Sequence, residues 1–230
     1  MPSELKAITS QMEDTTEEKI AQMVFVKGKL AGLDTVAALS GVGKVAAAMA
    51  STLLCYLYKP EALIHVGVAG GLKDSQNVMD VIISDEIFQA DFDTTPIDGP
   101  EGLGKTFYTN SNLSAAAVKA AQEMDISWEI GGIATQDIFL SNPDDFDRLM
   151  AKFPTAVCSE MEGGAVAQVA ADFDVPFMIL RTLSDVVVHQ GNEMEFGEFE
   201  KQSSDLAGRI IRKIFEVLEK ENILNSLKAD

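Results

Sequence analysis

Apolar and polar positions change period several times along this chain, and each change marks an element. Leu5, Ile8 and Met12 fall on one helical face, and Pro2 suits a first turn, so residues 2–13 read as an amphipathic helix. QMVFVKGKL and LDTVAALS alternate as strands, with Ala31-Gly32 as the turn between them. SGVGKVAAAMASTLLCYLYKP then passes from two glycines into an Ala-rich helix that Pro60 ends. ALIHVGVAGGL is a buried strand running into a glycine turn, and VMDVIISDEIFQAD is a second strand. The polar stretch DFDTTPIDGPEGLGKTF is too long for a simple connection and is placed to cover a site. A helix over about 112–124, a strand near 129–135 and a short helix over about 144–152 follow, the last capped by Asn142 or Asp144 with Pro143 near its first turn. Phe199, Leu206, Ile210, Ile214 and Leu218 repeat at helical spacing in a final helix over about 196–222, a stripe that is core or interface.

The segment from Val157 to Val186 reads VCSEMEGGAVAQVAADFDVPFMILRTLSDV. Two apolar runs flank an Ala-rich helix, which predicts a right-handed βαβ unit in a buried parallel sheet. Both strands of such a unit end on one edge, so Glu160, Glu162 and Asp185 are expected together there. Ligands of open α/β sheets bind at that carboxyl edge.

Composition narrows the partners. The 230 residues are 47% hydrophobic, enough to bury a sizeable core, and nothing resembles a linker, a repeat or a low-complexity tract; one domain over 1–230 is expected. A formal charge of −18 repels phosphate backbones and anionic membranes, which argues against nucleic-acid and membrane partners and leaves neutral or cationic small molecules. Cys55 and Cys158 lack metal-ligand spacing and read as reduced core residues. The N-terminal segment lacks the apolar core of a signal peptide, and no apolar run approaches the roughly 18 residues of a membrane span, so a cytoplasmic protein is expected.

Two glycine turns fail as nucleotide-phosphate loops. Gly41-Val42-Gly43-Lys44 lacks the spacing and the following Ser or Thr of a P-loop, and no helical pattern begins directly after Gly67, Gly70 and Gly71. They either let two turns pass closely or leave a slot for a ligand. No arginine precedes Arg148, so neither turn has a guanidinium nearby in sequence for a phosphate, and Lys44 reads as a surface lysine. His65 reads as a satisfied core histidine and His189 as a loop residue. The acids of the 157–186 segment are either helix caps and ion-pair partners or a catalytic set. A carboxylate among apolar neighbours is pushed toward proton donation near neutral pH, which makes Asp185 the candidate general acid.

SGVGKVAAAMAST, HVGVAGGL, VIISDE, TQDIFL, SEMEGGAVAQVA, VPFMILRTLSD and the EFxxF-like EFGEFEKQSS occur in this order over nearly the whole chain. In this the chain resembles the 5′-methylthioadenosine/S-adenosylhomocysteine nucleosidases of the purine nucleoside phosphorylase/uridine phosphorylase superfamily. The resemblance implies an α/β fold: a single-domain three-layer sandwich with a central mixed, twisted, partly barrel-like sheet flanked by helices. It also implies a first strand ahead of Met1 that this sequence does not carry, so the sheet is expected to lack one strand and Glu4 to sit on a terminus open to fraying.

The reaction implied is irreversible hydrolysis of an N-glycosidic bond, giving adenine and a 5-thioribose product, without metal or organic cofactor. By resemblance, Asp185 protonates adenine N7, Glu4 activates the water, and Glu162 binds the ribose hydroxyls with Met161 packed on the sugar. Phe139 stacks on adenine, the Leu140 backbone reads its edge, Glu160 belongs to the same substrate-binding set, and Val42 approaches the 5′-alkylthio group. Val68 stands where many members carry a serine, which leaves Ser184 or a backbone amide to support Asp185. A homodimer is implied, with the loop near 91–106 at its interface; so are 5′-deoxyadenosine as a third substrate and a role in salvage of methylthio groups, detoxification of S-adenosylhomocysteine or supply of a signalling precursor. The competing readings are a phosphate-dependent nucleoside phosphorylase, against which the late arginines argue, and an inactive nucleoside-binding or storage protein of the same fold.

Overall fold

The computed structural model describes residues 1–188 and 196–227, Phe196 and Gly197 by backbone alone. His189 therefore lies outside the described residues. In chain order the elements are α1 (Pro2–Thr9), β1 (Glu13–Ile20), β2 (Met23–Leu30), β3 (Leu33–Ala38), α2 (Lys44–Tyr58), β4 (Leu63–Gly71), β5 (Val81–Gln89), α3 (Thr95–Asp98), β6 (Thr106–Tyr108), α4 (Ser111–Glu123), β7 (Trp128–Thr135), α5 (Pro143–Lys152), β8 (Ala156–Glu160), α6 (Gly163–Asp172), β9 (Phe177–Val186), α7 (Phe196–Lys220) and α8 (Ile223–Ser226).

The central sheet has the order β6-β5-β7-β8-β4-β9 and closes on itself through a further pairing of β5 with β9. Closure makes it a barrel, as expected of the mixed, partly barrel-like sheet. Its strands are apolar on both sides because helices cover the outside: β5, β8 and β9 are buried along almost their whole length. Against one part of the barrel pack α4 and α7, through Leu113, Ala117, Ile210, Ile214 and Leu218 with Met178 and Leu180. On another part α2 and α6 bring Ala47, Cys55, Val166 and Ala170 against Ile133, Ile179 and Leu183. Both thiols are free and buried, and burial pushes both above the ordinary cysteine range, as suits core residues.

The strand directions correct the expected parallel βαβ unit. β8, α6 and β9 occur where the pattern places them, but β4 lies between the two strands. β4 runs parallel to β9 and antiparallel to β8, so β8 and β9 are neither neighbours nor parallel. Their ends still meet, because Gly70 of β4 stands opposite Ser159 of β8 and also opposite Asp185 of β9. The acids converge through a shared glycine and not through a common sheet edge.

β1 is the element the hydrophobic pattern misses, and the helix ahead of it is shorter than expected. EDTTEEKI is exposed on both faces and has no alternation to read. It is a strand because its backbone pairs antiparallel with β2, Glu17 opposite Val26 and Glu18 opposite Phe25. The hairpin β2–β3 is as expected, with Ala31 and Gly32 both at positive φ.

Two strand edges face each other unpaired. β3 pairs with β2 alone, and the side of β4 turned away from β9 is met only at Gly70 and Gly71, by β8. Between β3 and β4 lies a cavity of about 880 Å³, lined in part by Leu30, Leu54, Ile64, Val66 and Leu218.

Candidate active site

A second cavity, of about 320 Å³, opens beside the first at the ends of β4, β8 and β9. Every residue singled out for the site lines it: the acids Glu4, Glu160, Glu162 and Asp185, then Met161, Phe139, Leu140, Val42, Val68 and Ser184. They come from both ends of the chain. The loop over 91–106 does not line this cavity among the described residues; it is tied to the rim instead. Lys44 reaches Asp91 at 2.5 Å and Asp137 at 3.7 Å, so the lysine read as a surface residue joins the glycine turn, the long loop and the segment before Phe139.

Glu160 closes β8 and is buried, and its carboxylate oxygens are taken up by the protein. They accept from the backbone N–H of Glu162 at 3.0 Å, from that of Gly163 at 2.8 and 3.0 Å, and from the Thr135 hydroxyl, and they form an ion pair with Arg181. Glu160 lines the cavity with the other acids, and its carboxylate is engaged by the protein's own donors. Glu160 organises the start of α6, since two of the donors it satisfies are backbone N–H groups of the β8–α6 turn and first turn. Its partner Arg181 interrupts the apolar run of β9. It is fully buried in β9, and its guanidinium lies beside Gly67, whose missing side chain leaves it room.

Glu162 sits at the N-cap of α6 with its side chain turned into the cavity. It accepts the Gly43 N–H at 2.9 Å and lies 3.9 Å from Arg181. Burial pushes its carboxyl above the usual range; Arg181 and the Gly43 N–H act against that. Gly43 has φ +85°, a conformation costly to other residues, and this turn aims its N–H at the carboxylate. The first glycine turn therefore holds a carboxylate, and the second, at Gly67 to Gly71, supplies the floor on which β8 and β9 meet.

Asp185 is half-buried and accepts from the Ser184 hydroxyl at 2.6 Å, while the same hydroxyl lies 3.2 Å from the Ala69 carbonyl. Ser184 thus supports the acid where Val68 has no hydroxyl to offer. Glu4, in the first turn of α1, is 4% exposed, and its carboxylate pairs with the α-amino group of Met1. At the mouth Phe139 is 72% exposed and Val42 78%, whereas Leu140 is buried. The arrangement puts an open aromatic face and an apolar rim above three acids, each with a different set of partners.

His65 belongs to this wall as well: it is satisfied at both ring nitrogens, as expected, but it lines the cavities and not the apolar core. It is half-buried and lines both cavities. Its Nδ1 lies 3.0 Å from Arg181 Nη2, and its Nε2 lies 3.4 Å from Ser40 Oγ.

A closed mixed barrel flanked by helices, with acids gathered at its strand ends, has known counterparts. A family model described as the phosphorylase superfamily matches residues 1–216, and the chain belongs to that superfamily. Over 224 residues it is 38% identical to the 5′-methylthioadenosine/S-adenosylhomocysteine nucleosidase of Bacillus thuringiensis strain Al Hakam, covering 95% of this chain and 96% of the relative. A putative methylthioadenosine nucleosidase from Weissella paramesenteroides superposes with a TM-score of 0.88 at 30% identity, covering 94% of each chain. The Neisseria meningitidis 5′-methylthioadenosine/S-adenosylhomocysteine nucleosidase, solved with methylthio-immucillin-A, superposes with a TM-score of 0.87 at 29% identity over 94% of this chain and 95% of that one. Within the superfamily the chain is a member of the 5′-methylthioadenosine/S-adenosylhomocysteine nucleosidases.

Proposed function

We propose that this chain hydrolyses the N-glycosidic bond of 5′-methylthioadenosine and S-adenosylhomocysteine, releasing adenine and a 5-thioribose product. The observation that carries the reading is one cavity lined by Glu4, Glu162 and Asp185 with Phe139 at its mouth. Cleavage through an oxocarbenium-like sugar needs three things: the leaving base protonated, the hydroxyls of the sugar held, and a water brought to C1′. Asp185 gives its proton to adenine N7, so the C1′–N9 electron pair leaves with the base. Glu162 accepts from the ribose hydroxyls, and Met161 packs against the ring. Glu4 takes a proton from the water that bonds to C1′. Phe139 stacks on the purine, Leu140 reads its edge through the backbone, and Val42 and the apolar rim meet the 5′-alkylthio group.

Phosphorolysis is the weaker reading. Arg181 is the one cationic side chain lining the cavity among the described residues, and it is already paired with Glu160. Measuring adenine release from methylthioadenosine with and without phosphate separates the two: equal rates support hydrolysis, and strict phosphate dependence overturns it. Tight nucleoside binding with no adenine released would favour a binding protein instead.

The working unit in this reading is the whole chain, as one nucleoside phosphorylase-like domain paired in a homodimer. Val45, Met49 and Tyr56 form an outward stripe on α2 and are 83%, 50% and 68% exposed, and Ile97 in the long loop is 85% exposed. Apolar surface of this kind is what a partner copy covers. Sedimentation at the mass of one chain would count against the dimer. The two free buried thiols support a cytoplasmic setting, where the enzyme would serve nucleoside catabolism and methylthio salvage. No helix of the described residues is long and apolar enough to cross a membrane.

A further inference from the structure

Glu162 is held from two sides, and the two supports are joined to each other through one residue that the reaction itself does not use. On one side stands the glycine turn, whose Gly43 N–H donates to Glu162 at 2.9 Å. On the other stands Arg181, 3.9 Å from the same carboxylate. His65 touches both supports: Nδ1 is 3.0 Å from Arg181 Nη2, and Nε2 is 3.4 Å from the hydroxyl of Ser40, the residue that begins the glycine turn. The contacts form a closed circuit from Glu162 through the turn to Ser40, His65, Arg181 and back.

The chemistry of the partners decides which form of the ring completes this circuit. A guanidinium has only donors, so His65 Nδ1 must accept and carries no proton. The proton of the neutral ring then sits on Nε2 and points to Ser40 Oγ, which accepts it and can pass its own hydrogen to the Gly41 carbonyl 3.3 Å away. Protonating Nδ1 would remove the acceptor and set a second cation against Arg181. Burial, Arg181 and the α-amino group all hold the ring well below its ordinary pKa, in the same sense.

The ring matters because Arg181 is otherwise held unevenly. Glu160 takes one part of the guanidinium, Gly67 leaves it space, and Arg181 Nε has no hydrogen-bond partner in the structure. Nη2 itself donates to Glu160 and to His65; without the His65 acceptor one of its two hydrogens loses its partner, Glu160 alone holds it, and the guanidinium can turn away from Glu162.

We propose that His65 is a positioning residue for sugar binding: as the neutral Nε2–H tautomer it locks Arg181 and the 40–43 turn together, and so fixes the carboxylate of Glu162. The inference rests on Glu162 being the carboxylate that holds the sugar.

Two measurements test it. The first is side-chain 15N NMR of the whole protein at pH 7. The chain has only two histidines, so a His189→Gln variant assigns the signals by difference. A protonated Nε2 and a bare Nδ1 on His65 are expected; an Nδ1–H tautomer or an imidazolium overturns the proposal. The second is steady-state kinetics with methylthioadenosine. His65→Leu removes the acceptor and should raise KM about 10- to 100-fold, the loss of one hydrogen bond to a charged group, with a smaller change in kcat. His65→Asn puts an amide oxygen where Nδ1 stands and should recover most of that loss. Wild-type KM in His65→Leu, or equal losses in both variants, overturns it. If His65→Leu does not fold, the tautomer and His65→Asn, expected within about threefold of wild-type KM, decide. Normal turnover in Glu162→Gln would instead overturn the site reading, whatever the tautomer of His65.

Discussion

A methyl group added to Gly67 would lie 2.5 Å from Nη1 of Arg181. The glycine and the guanidinium belong to adjacent parallel strands, and Gly67 stands directly opposite Arg181 in the β4–β9 register. The far end of an arginine can usually swing aside, but this one is paired with Glu160 in the buried interior. Gly67→Ala should therefore cost about 1–3 kcal/mol of stability from overpacking, and should lower kcat/KM because Arg181 is displaced from Glu162. Chemical denaturation with parallel adenine-release assays checks both; an unchanged kcat/KM would show that Arg181 adjusts without consequence.

The Arg181–Glu160 pair leaves side chains only 0% and 1% exposed, so removing one member strands a buried charge. Glu160→Ala is expected to destabilise the fold by about 3–5 kcal/mol, seen as a lower denaturation midpoint with little change in slope. A loss below about 1 kcal/mol would mean the pair is better solvated than its burial indicates.

Asp185→Asn keeps the shape of the proton donor and its contact with Ser184 while removing the proton. Turnover should fall about 10²- to 10⁴-fold, the usual range for a general acid, with melting temperature nearly unchanged. Wild-type activity in this variant would sink the assignment of Asp185.

Glu162 yields a prediction of opposite sign for stability and function. Its folded pKa is raised, mainly by burial, so the folded state binds the proton more readily than the unfolded chain does. Such a group favours folding below its unfolded pKa, and that contribution is lost as pH rises through the folded pKa. At neutral pH the ionised carboxylate is therefore a burden on the fold. Glu162→Gln should weaken substrate binding and turnover together while raising the melting temperature at pH 7 to 8. The gain should shrink as pH falls toward the unfolded pKa of roughly 4.3. Lower stability of the variant at every pH would mark Glu162 as a structural cap.

The cavity of about 880 Å³ between β3 and β4 invites a filling experiment. An apolar strand of about six residues fused ahead of Met1 can pair with the open edges of both strands and bury its side chains against Leu30, Ile64 and Val66. At about 1.5–3 kcal/mol for each large side chain fully buried and about 2–4 °C per kcal/mol, the melting temperature should rise by on the order of 10 °C. The same strand displaces the free α-amino group from Glu4, so adenine release should rise as well. No change in either quantity would mean that the gap closes by itself in solution.

How much was legible in the sequence differs from element to element. The period-2 hairpin at β2 and β3, the Ala-rich α2 and the stripe of Leu206, Ile210, Ile214 and Leu218 on α7 report their own burial, because each depends on which side of a local element faces apolar neighbours. β1 does not: EDTTEEKI is exposed on both faces, and only its backbone pairing with β2 makes it a strand. Asp185, Glu162 and the other acids could be found as residues at the ends of apolar runs, but what each carboxylate touches could not.

The sequence by itself determined the elements that carry an apolar period of their own, the family and the candidate acids and apolar residues of the site, since these depend on local periodicity and on side-chain types in a recognisable order. Only the tertiary structure decided how those residues are joined. Closing the barrel put β4 between β8 and β9 and set one glycine, Gly70, opposite both Ser159 and Asp185. It also turned Glu160 inward to Arg181 and brought His65 and the 40–43 turn around Glu162. These are contacts between residues far apart in the chain, fixed by strand order and burial, which no local pattern of apolar and polar positions records.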